Sequence, residues 1–151
     1  MENFDYTFNV PSKGILSPDE VHFFYYDVMR DTINNAQVIY EWNEEIEKFL
    51  EEKGIKVEVK EKRAVSQNVE KNVMFFSIAQ DESKPIAFFR HLRNAFAHHQ
   101  IVYCGECLQI EDIQGNDFTM KGLIKFQDLK ELCFLFFDQR AKFEEDNNLL
   151  W

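Results

Sequence analysis

The sequence has few residues of the kinds that interrupt secondary structure or cross-link the chain. Its 151 residues include only five Gly, three Pro and three Cys. So few cysteines, with no visible secretory segment, argue against a disulfide framework. The chain also lacks the basic and apolar amino-terminal pattern of a signal peptide, and any run of roughly 18 uncharged apolar residues that could span a membrane. We therefore expect a cytoplasmic protein with no membrane association.

Basic residues are scarce as well. The 17 Lys and Arg are outnumbered by 27 Asp and Glu, which gives a net charge of −10. As a whole, such a chain should repel nucleic acid and anionic membranes. Apolar residues make up 45% of the sequence and 16 residues are Phe, which excludes a disordered or low-complexity protein. The length and the lack of a linker predict a single domain over residues 1–151.

Helical spacing of apolar residues dominates the sequence. It predicts four helices, over about residues 18–53, 64–79, 84–99 and 127–145. Ser17, Pro18 and Glu20 form a capping-box start for the first helix, and Gly54 ends it. Asn34 and Asn35 are its weakest point, where it bends or breaks.

A second pattern follows residue 105. Two apolar runs, over residues 107–113 and 118–126, flank the turn sequence Gln-Gly-Asn-Asp, which predicts a β-hairpin. Residues 55–63 alternate in polarity and predict a short strand or a surface connection. The expected fold class is therefore all-α, a bundle of four to five helices with a small β-hairpin inserted before the last helix.

One segment stands apart from the acidic background. Residues 83–105 contain no Asp or Glu, but they hold Lys84, Arg90, Arg93 and three of the four His. A local positive island of this kind suits an anion site. A buried helix also avoids carboxylates, so composition alone leaves a purely structural origin open.

The helical wheel places a polar row on this segment. Arg90, Asn94 and His98 are spaced i, i+4, i+8, opposite an apolar arc, with His91 beside His98. The small residues Ala87 and Ala97 lie among them and allow close approach of a helix or ligand. Asn94 and His98 are one turn apart, so we expect the amide to contact the imidazole and fix its tautomer.

A metal or redox centre is a weaker possibility. Cys104 and Cys107 form an isolated CxxC, whereas a structural zinc site needs four ligands. We expect no metal and no cofactor, and the role of the two cysteines stays open.

The string Arg93-Asn94-Ala95-Phe96-Ala97-His98 resembles the R-[N/D/H]-x-x-x-H motif of the HEPN superfamily. The similarity is greatest to the plasmid-borne, abortive-infection type, which has a hairpin after the motif helix. The resemblance implies a small all-helical domain. Many such domains are metal-independent ribonucleases of toxin–antitoxin, abortive-infection and CRISPR-linked phage defence.

The resemblance also implies roles for individual residues. Arg93 and His98 would be the catalytic pair, Asn94 would be the catalytic polar residue that orients them, and Arg90 and His91 would bind substrate. Arg90 has an alternative role as an interface ion pair. A neutral imidazole can accept the 2′-OH proton, and a guanidinium can stabilise the phosphorane charge. Cleavage would then leave a 2′,3′-cyclic phosphate and a 5′-OH.

These observations predict an endoribonuclease that binds RNA and acts as a homodimer through the motif helix. Its composite site would cleave RNA by 2′-OH attack, and an antitoxin or nucleotidyltransferase is a possible partner. One alternative is a non-catalytic HEPN dimer that binds RNA, a nucleotide or a protein. Another is a scaffolding dimer in which the polar row is only an interface.

Overall fold

The structure, a computed structural model, describes residues 13–29, 40–61, 65 and 69–146. Its strands are β1 (Lys13–Gly14), β2 (Lys56–Val59), β3 (Val73–Phe76), β4 (Ile101–Cys104), β5 (Cys107–Gln114) and β6 (Asp117–Ile124). Its helices are α1 (Pro18–His22), which continues as a π-helical segment over Phe23–Met29, α2 (Glu44–Lys53), α3 (Lys84–Ala97) and α4 (Phe126–Asp146).

The predicted all-α bundle is wrong, because a six-stranded sheet organises the described part of the chain. The strand order is β1-β4-β5-β6-β3-β2. Strands β2 and β3 are parallel, and the other neighbours are antiparallel. The expected hairpin is present as β5 and β6. It forms the centre of this sheet, whereas the sequence predicts a small insertion in a helical bundle.

The helix predicted over 64–79 is also wrong where the structure describes it, because Val73–Phe76 is strand β3. This strand pairs with β6 on one side and β2 on the other. The spacing of Val65, Val69, Val73 and Phe76 fits a helical stripe, but a short apolar run fits a buried strand equally well. Pairing with a strand more than 40 residues further along the chain decides between them.

The first predicted helix is interrupted. Its capping box is confirmed, since Glu20 N donates to Ser17 Oγ and Ser17 N donates to the Glu20 carboxylate. Residues 40–43 are not helical, and Asn43 caps the separate helix α2 through a bond from Ile46 N. Gly54 ends α2 at φ 70°, as expected. The expected break at Asn34 and Asn35 lies outside the described residues.

Helix α3 has well-defined ends. Ser83 caps its first turn by accepting a hydrogen bond from Ile86 N. At the other end, Gln100 N donates to Ala95 O and His99 N donates to Phe96 O, which is a Schellman motif with His99 in the left-handed region at φ 58°. The helix therefore ends at Ala97, and His99 belongs to the helix end.

The main core lies between the helices and one face of the sheet. Alternate residues of the central strands point to this face, which is the period expected of β-strands. They pack with large aromatic side chains from α3 and α4, among them Phe88, Phe89 and Phe136. The strand residues in this core include Met74, Phe76, Leu108, Ile110, Met120 and Ile124.

Gly122 lies where β6 passes under this core, opposite Met74 on β3 and Ile110 on β5. A Cβ atom at Gly122 would lie 2.6 Å from Cγ of Met74, whose side chain is fully buried. Gly122→Ala should therefore lower the free energy of unfolding by about 1–3 kcal/mol through overpacking. Denaturant midpoints measure this loss. The same change in a Met74→Ala background, which removes that Cγ, should cost less, and an unchanged midpoint would contradict the packing described here.

Helix α1 is fixed to β4 by a buried carboxylate. The Tyr103 hydroxyl donates to Glu20, which is itself buried. Burial and this hydrogen bond raise the pKa of Tyr103 to about 12.

None of the helices in the described ranges combines the length and apolar character needed to cross a bilayer.

Candidate functional site

Helix α3 carries all the residues that the sequence analysis selects, and it lies against β5 and the core. Its apolar arc is buried as expected, with Phe88, Leu92 and Ala95 inaccessible to solvent. Ala87, which the wheel places on the polar side, is buried too, whereas Ala97 is exposed. Part of the predicted polar face is therefore an internal surface.

Arg93 and Asn94 lie at the border between this internal surface and solvent. Both are half-buried, and Arg93 Nη2 donates to Asn94 Oδ1 at 2.9 Å. Asn94 Nδ2 donates in turn to Asp112 Oδ2 at 3.4 Å. The guanidinium is thus connected through one amide to a carboxylate on the sheet.

His91 lies behind this chain of contacts and is completely buried. Its Nδ1 is 2.7 Å from Asp112 Oδ2, and its Nε2 is 2.7 Å from the Ser77 carbonyl oxygen. Each nitrogen faces an acceptor, and Nε2 also lies 3.4 Å from Nη2 of Arg90. In this conformation His91 cannot contact substrate as predicted, because both nitrogens are occupied inside the protein.

Asp112 is a buried charge partner for that ring, with 1% of its surface exposed. Burial acts to raise its pKa, but the hydrogen bond and charge of His91, together with the bond from Asn94, hold the pKa below its ordinary value. The carboxylate is therefore ionised at neutral pH.

Arg90 is one turn before Asn94 and is engaged within the chain. Its Nε and Nη2 bind the two carboxylate oxygens of Glu82 at 2.6 and 2.9 Å. The hydrogen bonds that Arg90 donates to Glu82 raise the Arg90 pKa. This ion pair lies on the wall of a cleft of about 810 Å³ that Lys60, Gln114 and Thr119 also line. Arg90 is one-quarter exposed, so it retains a surface toward solvent.

His98 is at the exposed end of α3. It is the C-cap residue of α3, and its backbone N–H donates to Asn94 O at 3.0 Å. The expected contact between the Asn94 amide and the His98 ring is not formed, because the amide oxygen binds Arg93 and the amide nitrogen binds Asp112. The structure therefore separates a constrained arginine from a solvent-facing histidine.

Asp112 is not among the residues that helical spacing predicts, although the sequence contains a signal for it. Leu108, Ile110 and Asp112 alternate along β5, so the period of two places the carboxylate on the buried face. A buried Asp requires a partner, and the acid-free helix supplies His91.

The cysteine pair has a structural place. Cys104 and Cys107 lie opposite each other where β4 turns into β5, and both are free thiols. Burial is the main cause that raises the Cys107 pKa, which lowers its reactivity. In the ranges the structure describes, no three His, Cys, Asp or Glu side chains group closely enough to hold a metal.

Comparison with protein families adds a decisive observation to this geometry. The model of the family described as HEPN pEK499 p136 matches residues 25–147. The chain belongs to this HEPN family. The matched range includes the whole of α3 and the β5–β6 hairpin, so the motif that suggests the resemblance lies inside the match. Comparisons with curated proteins and with solved structures find no match.

Proposed function

We propose that this HEPN protein is a metal-independent endoribonuclease in which Arg93, Asn94 and His98 form the reactive site. The family match supports a HEPN function in general. The observation that carries the finer proposal is the end of α3, where a solvent-facing imidazole follows an arginine held by a hydrogen bond.

The two side chains suit the two needs of RNA cleavage. An exposed His98 can take the proton from a ribose 2′-OH, because imidazole exchanges protons near neutral pH. The Arg93 guanidinium can bind the phosphate and stabilise the negative charge that develops on its oxygens. The 2′ oxygen then attacks the phosphorus, the bond to the 5′ oxygen breaks, and the 5′ oxygen takes a proton from an imidazolium of the site or from water, which leaves a 2′,3′-cyclic phosphate and a 5′-OH.

The placement of these residues favours a site shared by two copies of the chain. Arg93 and His98 are five positions apart, so at about 100° per residue they project roughly 140° apart around α3. A second α3 facing the first would bring the arginine of one copy toward the histidine of the other. Exposed Ala97 allows such close approach. We therefore propose a homodimer through α3.

The charge of the protein bears on its substrate and partners. With a net charge of −10, the surface outside the site should bind bulk RNA poorly. Such a surface suits a toxin or phage-defence nuclease that recognises a particular structured RNA, and it suits the non-catalytic alternative as well. An antitoxin or a nucleotidyltransferase remains a candidate partner. Arg90 is the remaining candidate for a further phosphate contact, since His91 is buried.

The test is cleavage of total bacterial RNA by the purified full chain in excess EDTA, with cleaved ends mapped. We expect cuts that leave 2′,3′-cyclic phosphate and 5′-OH ends and that are absent with His98→Ala. The His98→Ala protein serves as the control for contaminating nucleases, because the ring is exposed and its loss should leave the fold intact.

Two results would overturn the proposal. Cutting that EDTA abolishes, or that His98→Ala retains, would assign the activity to other chemistry. Absence of cutting by a folded dimer at high concentration would favour the alternative, a non-catalytic HEPN dimer that binds RNA or protein.

A further inference from the structure

A buried polar network links α3 to the hairpin and ends at the motif arginine. Asp112 Oδ2 accepts hydrogen bonds from both His91 Nδ1 and Asn94 Nδ2, at 2.7 and 3.4 Å. Thr119 Oγ1 donates to the Asp112 backbone carbonyl at 3.0 Å and keeps the two strands of the hairpin in place beneath it. Asp112 and Thr119 on the sheet and His91 on α3 are all buried.

Burial of charged groups is costly, so this arrangement calls for a reason beyond stability. The reason lies in the orientation of the Asn94 amide. Because the carboxylate is an acceptor only, it selects the Asn94 nitrogen and so turns the Asn94 oxygen toward Arg93 Nη2. In the opposite orientation, the Asn94 NH2 group would face the Arg93 guanidinium, and both groups are donors with no acceptor between them.

We propose that Asp112 is a positioning residue that fixes Asn94 and, through it, the guanidinium of Arg93. The inference rests on the proposed ribonuclease function for its kinetic test. His91 supports the same role, because its Nδ1 binds the same Asp112 oxygen as Asn94 and its Nε2 binds the Ser77 carbonyl. Neither residue contacts RNA.

The Asp112→Asn substitution tests this inference, because it puts a neutral amide in place of the carboxylate that binds His91 Nδ1 and Asn94 Nδ2 through the same oxygen, Oδ2. If the amide nitrogen takes that position, it meets Asn94 Nδ2 as a second donor and the Asn94 amide is released. If the amide oxygen takes it, the two hydrogen bonds remain but lose the charge of the carboxylate, so Asn94 is held less firmly. A misplaced guanidinium stabilises the phosphorane less, so we expect kcat to fall about 10-fold with KM within about twofold.

The reciprocal exchange Asp112→Asn with Asn94→Asp should restore the network. The carboxylate at 94 then accepts from both the amide at 112 and Arg93, and the motif pattern permits Asp at that position. We expect kcat to return to within about threefold of wild type, whereas Asn94→Asp alone places two carboxylates together and is impaired. Glu20→Gln is the matched control, a buried carboxylate bonded to Ser17 and Tyr103, and should retain wild-type kcat.

A spectroscopic readout separates this inference from the ribonuclease proposal. The NMR signal of the Arg93 guanidinium reports its restricted rotation without any substrate. We expect freer rotation in Asp112→Asn and restored restriction in the exchanged double variant. If wild type cuts no RNA, only the ribonuclease proposal fails, and this signal still decides the role of Asp112.

Two findings would overturn the positioning role. One is a folded Asp112→Asn protein with wild-type kcat or an unchanged Arg93 signal. The other is a folded double variant that regains neither. If the single variant does not fold, the double variant decides alone, since folding with a restricted Arg93 supports the role and folding with a freely rotating Arg93 contradicts it.

Discussion

Arg93→Ala is expected to lower kcat/KM for RNA cleavage about 1,000-fold while leaving the protein folded. An arginine that stabilises charge on a transferring phosphoryl group contributes on this scale. The loss should appear equally in kcat and kcat/KM, because the contact strengthens as the phosphorane forms. Within the described part of the chain, the guanidinium has one hydrogen bond, to its neighbour Asn94, so its removal costs the fold little.

Single-turnover cleavage of a mapped RNA fragment measures this effect. Arg93→Lys should be almost as impaired, because an ammonium keeps the charge but loses the planar fork that binds two phosphate oxygens. Arg140→Ala is the matched control, since Arg140 lies on α4 and pairs with Glu144. Equal loss in Arg93→Ala and Arg140→Ala would mean that general electrostatics, rather than the motif, drives the reaction.

Asp112→Ala is expected to reduce the free energy of unfolding by about 3–5 kcal/mol, the usual cost of removing one partner from a buried ion pair. It leaves His91 Nδ1 and Asn94 Nδ2 without their shared acceptor inside the protein. Replacing both partners, as in Asp112→Val with His91→Leu, should cost less than the single change, because no charge is then left buried.

The pH dependence of unfolding gives this prediction a second measurement. The folded-state pKa of Asp112 is below its unfolded value, so its stabilisation is complete above about pH 5 and is lost as pH falls through the folded pKa. Denaturant titrations should therefore find the gap between wild type and Asp112→Ala shrinking on acidification toward pH 2. A gap that is constant with pH would mean that Asp112 contributes by packing rather than by charge.

Local signals in the sequence are sufficient to predict several of the helix ends and the hairpin. Ser17, Ser83 and Gly54 act within one turn of their own position, and Gly115 allows the turn between β5 and β6 at φ 62°. Caps and turns depend on a few neighbouring residues, so they can be predicted from the local sequence.

The sheet is harder to predict because its pairings are between distant residues. Val73–Phe76 is only four residues long and becomes a strand by pairing with β6, and β4 is a four-residue strand beside β5. Neither run is long enough to distinguish a period of two from a helical period. An all-α prediction follows when such short strands are assigned to helices or loops.

The candidate site, too, can be predicted only where it depends on local spacing. The motif spacing predicts Arg93, Asn94 and His98 from the helix alone. The partner of Asn94 could not come from helical spacing, because Asp112 lies on β5, 18 residues away. In an isolated helix, the Asn94 amide would contact the His98 ring one turn away. The sheet beneath α3 supplies a stronger acceptor, the Asp112 carboxylate.

The residues of this polar network lie close together in the sequence, which bears on the order in which the chain folds. Apart from the Ser77 carbonyl, every member of the network lies between His91 and Thr119, on one helix and the hairpin that follows it. Loops this short close at small entropic cost, so α3 and β5–β6 can assemble early during folding. The geometry around Arg93 is then set within the segment from α3 to β6, and the residues before Ser77 complete the core around it.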